Sequence, residues 1–133
     1  MDWKKLPIEQ KMELLSGAGW WNSKGVPGVV ASFSMSDGPH GLRLQKQDGG
    51  QDHLGIHQAE EAVAYPSEST LASSFDPRLL EEVAASMGRE ARSHHVDMLL
   101  APAMNIKRNP LCGRNFEYYS EDPYLTGQLA GGF

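Results

Sequence analysis

The stretch Asp76-Pro-Arg-Leu-Leu-Glu-Glu-Val-Ala-Ala-Ser-Met-Gly-Arg-Glu-Ala-Arg-Ser-His-His-Val-Asp-Met-Leu-Leu-Ala101 decides how this chain folds. Asp76 can cap the amides of a first helical turn. Pro77 at the first helical position gives up only an N–H that would be unpaired there anyway. Leu79, Leu80, Val83, Ala84, Met87 and Ala91 then recur on one helical face. Glu81 and Glu82 stand early while Arg89, Arg92 and His94 stand late, each sign matched to the helix dipole. Asp97-Met-Leu-Leu-Ala101 follows as a short strand, closed by Pro102.

The same device recurs downstream, where Asp122-Pro123 opens a helix through Leu125 and Leu129 that the end at Phe133 cuts short. Upstream, the run Val29-Val-Ala-Ser-Phe-Ser-Met35 reads as a buried strand that delivers Asp37. Ile8, Met12 and Leu15 fall at i, i+4 and i+7, so a short amphipathic helix is expected before Gly17. Residues 17–28 read as a loop, and the stretch from Gln45 to Glu61 has no periodicity, the mark of a functional or mobile loop. Strand, loop, capped helix, repeated, is the rhythm of βα units on a parallel sheet.

A chain of 133 residues suits one modest domain or a piece of a larger one. Its net charge of −5 has no basic cluster behind it, which argues against nucleic acid or an anionic membrane as partner. The apolar runs are far shorter than a membrane span, and Met-Asp-Trp-Lys-Lys-Leu-Pro lacks the apolar core of a secretory signal. A single cysteine, Cys112, allows no internal disulfide, so a cytoplasmic location is expected.

Two charged segments lie outside both periodicities: Asp37-Gly-Pro-His-Gly-Leu-Arg43 and Gly113-Arg-Asn-Phe-Glu-Tyr-Tyr-Ser-Glu-Asp122. Charge on a turn is free to point at a ligand. Together with Leu71-Ala-Ser-Ser-Phe-Asp-Pro77 and Leu100-Ala-Pro-Ala-Met-Asn-Ile-Lys-Arg108, in this order and spacing, they resemble the amino-terminal part of glycoside hydrolase family 3, the β-glucosidase family. The resemblance runs through nearly the whole chain. It implies an α/β fold, the N-terminal portion of a (β/α)8 TIM-type barrel. A whole barrel takes roughly 250 residues, so residues 1–133 would be a fragment of about three βα units. Alone, its open sheet edges would leave it poorly soluble or self-associating. The implied partners are the rest of the barrel, a C-terminal domain, and a β-linked oligosaccharide or an aryl or alkyl β-glucoside. No cofactor or metal is implied.

Retaining glycosidases need two carboxyl groups about 5–5.5 Å apart, one a nucleophile and one an acid/base. The resemblance implies a nucleophile in a Ser-Asp-Trp-like motif, and this sequence has none; Ser36-Asp37-Gly38 belongs to the early turn. No catalytic residue is therefore expected in this chain. What the resemblance assigns here is substrate binding in the −1 subsite. Asp37 would accept sugar hydroxyls and Arg114 would donate from across the site, as charge-assisted bonds. Arg43 could reach the same place, although a turn-stabilising role fits it equally.

Plainer readings stand beside these. Asp before Gly-Pro is a common turn former, and Arg114 could simply brace Glu117. His40 is expected to bond to backbone, and Lys107 and Arg108 to organise their loop through Glu117 or Glu121. Trp20, Trp21, Tyr118 and Tyr119 read as packing before they read as a sugar platform. His53 and His57 lack a helix and a third ligand, and Cys112 lacks a partner that would make it a nucleophile. The functional alternatives are a truncated, inactive product that binds sugar weakly or not at all, and a xylose or N-acetylglucosamine preference. Turnover by the 133 residues alone would point to Glu117 and Glu121.

Overall fold

Asp76 caps its helix as the sequence requires, its Oδ1 accepting the Arg78 N–H at 2.9 Å. The structure, a computed structural model, describes residues 2–46 and 59–133. In chain order its elements are α1 (Ile8–Glu13), β1 (Met35–Asp37), α2 (Glu68–Ala72), α3 (Pro77–Ser93), β2 (Met98–Leu100) and α4 (Pro123–Gly132). Short 3₁₀ turns lie at Trp3–Lys5 and Asn115–Glu117. Asp122 caps α4 in the same way, accepting the Tyr124 N–H at 2.9 Å. Loss of one such cap costs about 1 kcal/mol. Asp76→Ala should therefore lower the urea-unfolding free energy of the chain by about that much.

β1 and β2 pair in parallel, with Met35 opposite Met98, Ser36 opposite Leu99 and Asp37 opposite Leu100. α3 is the crossover that parallel neighbours need. Asp97 locks the pair from its N-terminal end. Its Oδ2 accepts the Ser34 N–H at 2.8 Å, and the Asp97 N–H returns to Ser34 Oγ at 3.1 Å. Those bonds from Ser34 stabilise the charged form and hold the Asp97 carboxyl below its usual range.

Two apolar clusters fix the helices. Leu71, Ala72, Leu80, Tyr119 and Leu129 join α2, α3 and α4 to the segment before α4. Leu42, Ala91 and Val96 join α3 to the entry of β2 and to the residues that leave the Asp37 turn. The second cluster matters most for function, because it seats that turn on the longest helix.

The structure departs from the sequence reading at three places. The expected strand over 29–35 is replaced by a turn at 27–29 that bridges Val26 to Val30, a single antiparallel bridge of Ser34 to Asn22, and a parallel pair that starts at Met35. The apolar face of α1 is not buried: Ile8 is 64% and Met12 61% exposed, because nothing in the described residues packs against it. Glu68–Ala72 forms a helix with no periodic sign of it in the sequence; Ser67 caps it by accepting the Thr70 N–H. Of the stretch from Gln45 to Glu61, residues 47–58 lie outside the described residues, His53 and His57 among them.

Candidate functional site

β1 ends on Asp37, and the chain reverses at once through Gly38-Pro-His-Gly41. Gly38 has φ 153° and Gly41 φ 127°, a region that side-chain-bearing residues rarely enter. The reversal is closed by the Arg43 N–H donating to the Asp37 carbonyl at 2.9 Å. A third strand of contact holds it from outside, where the Tyr65 N–H donates to the His40 carbonyl at 2.8 Å. Asp37 Oδ1 accepts the Gly38 N–H at 3.1 Å. The turn-forming reading of Asp37 is thus part of the geometry, and Oδ2 takes no part in that bond.

Arg114 comes from the other charged segment, just before the 3₁₀ turn after β2. Its Nε donates to Glu117 Oε1, and that pairing with Glu117 raises the guanidinium pKa further above its usual range. Glu117 is buried while the Arg114 side chain is 71% exposed. A guanidinium has five donors, so the brace on Glu117 engages one edge of the fork and leaves the Nη groups. The charge of Asp37 also acts on Arg114. Residues 77 positions apart in sequence are therefore near enough for the Asp37 charge to act weakly on Arg114.

Beside Asp37 lies a cavity of about 390 Å³, walled by the Asp37–Arg43 turn, Ala62–Ala64, Phe116 and Glu117. That size falls in the range of small-molecule sites. A larger cavity of about 850 Å³ lies near Trp21, Ser34 and His94, and Arg43 borders both. Neither Trp20 nor Trp21 lines the cavity beside Asp37, while Tyr118 and Tyr119 are buried. Both tyrosines therefore pack, as the sequence reading preferred.

Two expectations are corrected here. The His40 side chain meets a carboxylate, not backbone: its Nε2 lies 2.6 Å from Glu68 Oε2. Lys107 does not reach Glu117 or Glu121; its Nζ donates to Ser69 Oγ at 2.6 Å, beside the Asn115 and Tyr118 carbonyls that this hydroxyl faces. Both corrections lead to α2, the helix the sequence concealed.

Glu68 is the residue that sequence reasoning missed. It is fully buried, and desolvation pushes its carboxyl up to about 7 from 4.5, with Glu117 adding repulsion against partial relief from the Glu68 and Ala103 amides. Burial also raises the Tyr119 phenol, which faces the Glu68 charge. Glutamate at the start of a helix ordinarily reads as a solvated dipole partner, so no local signal marks it. Sealed from the cavity, Glu68 cannot touch a ligand. Its effect on stability has a definite sign. The folded state keeps the proton to about 7 and the unfolded chain only to 4.5, so this contribution is complete below 4.5 and is lost as pH rises to about 7. In thermal melts across that window, Glu68→Gln should remove a slope worth on the order of 1–3 kcal/mol.

Residues 34–133 match the family described as the glycosyl hydrolase family 3 N terminal domain. The chain is 46% identical over 128 residues to thermostable beta-glucosidase B of Acetivibrio thermocellus, covering 96% of this chain and 17% of that protein. It is 42% identical over 132 residues to an exo-alpha-(1->6)-L-arabinopyranosidase of Bifidobacterium longum, covering 97% of this chain and again 17% of the relative. Among solved structures it is similar to beta-glucosidase 3B from Thermotoga neapolitana in complex with glucose. There the TM-score is 0.82 at 41% identity, over 98% of this chain and 20% of that one. The chain thus spans about a sixth of the length of these curated relatives.

Proposed function

The chain belongs to glycoside hydrolase family 3, and on that footing we propose that it is the first part of a (β/α)8 barrel that removes a β-linked glucosyl unit from a non-reducing end. In this reading the two βα units formed among the described residues begin the barrel. Asp37 and the Arg114 loop follow the C-terminal ends of β1 and β2, the end at which barrels of this kind place their active sites. Asp37 accepts two hydroxyls of the −1 sugar and Arg114 donates to that sugar from across the cavity. Arg43 backs the turn. The nucleophile and the acid/base come from chain beyond these residues, and the reaction passes through a covalent glycosyl-enzyme with retention.

The observation that carries this reading is a cavity of ligand size walled by the Asp37 turn and by Phe116 and Glu117 of the Arg114 segment. The geometry within the chain also argues against a complete catalytic pair. Glu68 has a raised pKa, as a general acid does, but no exposure, and Glu117 is committed to Arg114. The test is a chimera in which these 133 residues replace the matching segment of beta-glucosidase 3B from Thermotoga neapolitana. It should hydrolyse an aryl β-D-glucoside, whereas the 133-residue chain alone should not. Turnover by the isolated chain would contradict the division of labour.

A second sugar is favoured by one observation, the 42% identity to an arabinopyranosidase, close to the 46% shared with a beta-glucosidase. Assaying the chimera on aryl β-D-glucoside and aryl α-L-arabinopyranoside separates the two. Faster turnover of the pentoside would shift the assignment.

A further inference from the structure

We infer that His40 and Glu68 form a positioning pair that holds the Asp37 turn against the Arg114 loop, and so sets the spacing of the two sugar contacts. The inference rests on the sugar-binding reading above for its consequence, though not for its geometry.

His40 is gripped on three sides. Its carbonyl accepts the Tyr65 N–H at 2.8 Å, its Nε2 lies 2.6 Å from Glu68 Oε2, and its ring meets the edge of Phe116 with centroids 5.5 Å apart at 86°. Phe116 belongs to the 3₁₀ turn that also carries Glu117, the brace of Arg114. One imidazole therefore joins the turn that bears Asp37, the helix α2 and the loop that bears Arg114. Its anchor on the α2 side is Glu68, a fully buried carboxyl.

The neighbourhood makes this anchor depend on a proton. Glu68 faces His40 from the turn, Glu117 from the 3₁₀ turn, and Tyr119 from the segment before α4. Arg114 is already paired with Glu117, and Lys107 with Ser69. When Glu68 loses its proton, a bare carboxylate remains sealed beside Glu117. Relieving it requires the turn to lift so that water can enter. With Glu68 protonated, its carboxyl is neutral and the turn stays seated.

Nuclear Overhauser contacts between the His40 and Phe116 rings in the 133-residue chain read this joint directly. They should be strong at pH 4.5, weaken as pH passes about 7, persist at all pH in Glu68→Gln, and be weak throughout in Glu68→Ala. The glutamine variant keeps the shape and neutral charge of the protonated acid, so it separates positioning from loss of fold. The same ring contacts in all three proteins at every pH would overturn the inference. Glucose titrated into the chimera addresses the other reading. If the wild-type chain shows pH-dependent contacts and the chimera binds no glucose, the pair stands and the sugar site falls.

Discussion

Asp37→Ala in the chimeric enzyme should lower kcat/KM on an aryl β-D-glucoside by about a thousandfold. A hydrogen bond to a charged acceptor is worth about 1.5–3 kcal/mol, and Asp37 is assigned two hydroxyls. Each 1.36 kcal/mol is about tenfold in rate, so losses of about a hundredfold to ten-thousandfold bracket the expectation. Part of the loss belongs in kcat, because contacts that strengthen as the ring distorts act on the transition state. Stability should hardly move, since among the described residues the side chain accepts only the Gly38 N–H, worth about 1 kcal/mol. A loss below tenfold with an unchanged melt would remove Asp37 from the site.

The second large effect concerns the backbone that aims Asp37. At Gly41, φ is 127° and an added Cβ would stand 2.1 Å from the Val63 carbonyl oxygen. That oxygen cannot retreat easily, because the Val63 N–H donates to Glu90 Oε1 at 2.8 Å and the Tyr65 N–H is tied to His40. Backbone strain and overpacking each cost about 1–3 kcal/mol, so Gly41→Ala should destabilise the chain by about 3–5 kcal/mol. Glucose binding should disappear with it. The contrasting change is Gly88→Ala in the interior of α3, where an added Cβ meets nothing within 4 Å. That variant should gain about 0.5–1 kcal/mol from helix propensity. Equal denaturant midpoints for the two would show that the turn is not strained against its neighbours.

The parts of this fold that were legible in the sequence are those set by local chemistry. Asp76-Pro77 and Asp122-Pro123 each form the cap they spell, and Met98–Leu100 is the strand that the apolar run before Pro102 suggests. The Asp37 and Arg114 segments were legible as charge on turns, and the structure brings them to one cavity. What stayed hidden depends on partners far along the chain. Val29–Met35 looks like a strand until Pro27-Gly28 turns it back on Val26. Glu68 looks solvated until His40, 28 positions away, closes over it. Lys107 looks like a partner for nearby carboxylates, yet it takes a serine hydroxyl on α2. In α1 the periodicity correctly marked a helix, but Ile8 and Met12 have no surface to cover them among the described residues.

These observations give the site a layered construction. Asp97 and Ser34 set the strand pair, and the Asp37 turn is forced by two glycines in left-handed backbone. α2 then supports that turn from beneath, through Glu68, and supports the Arg114 loop through Ser69. In the proposed site, an exposed arginine and a half-buried aspartate face one ligand because the groups behind them are fixed.

The most direct measurement is a crystal of the chimera soaked with glucose. Asp37 Oδ2 and an Arg114 Nη should both stand about 2.7–3.2 Å from hydroxyls of the same hexose. A bound hexose with either side chain turned away from it would contradict the account.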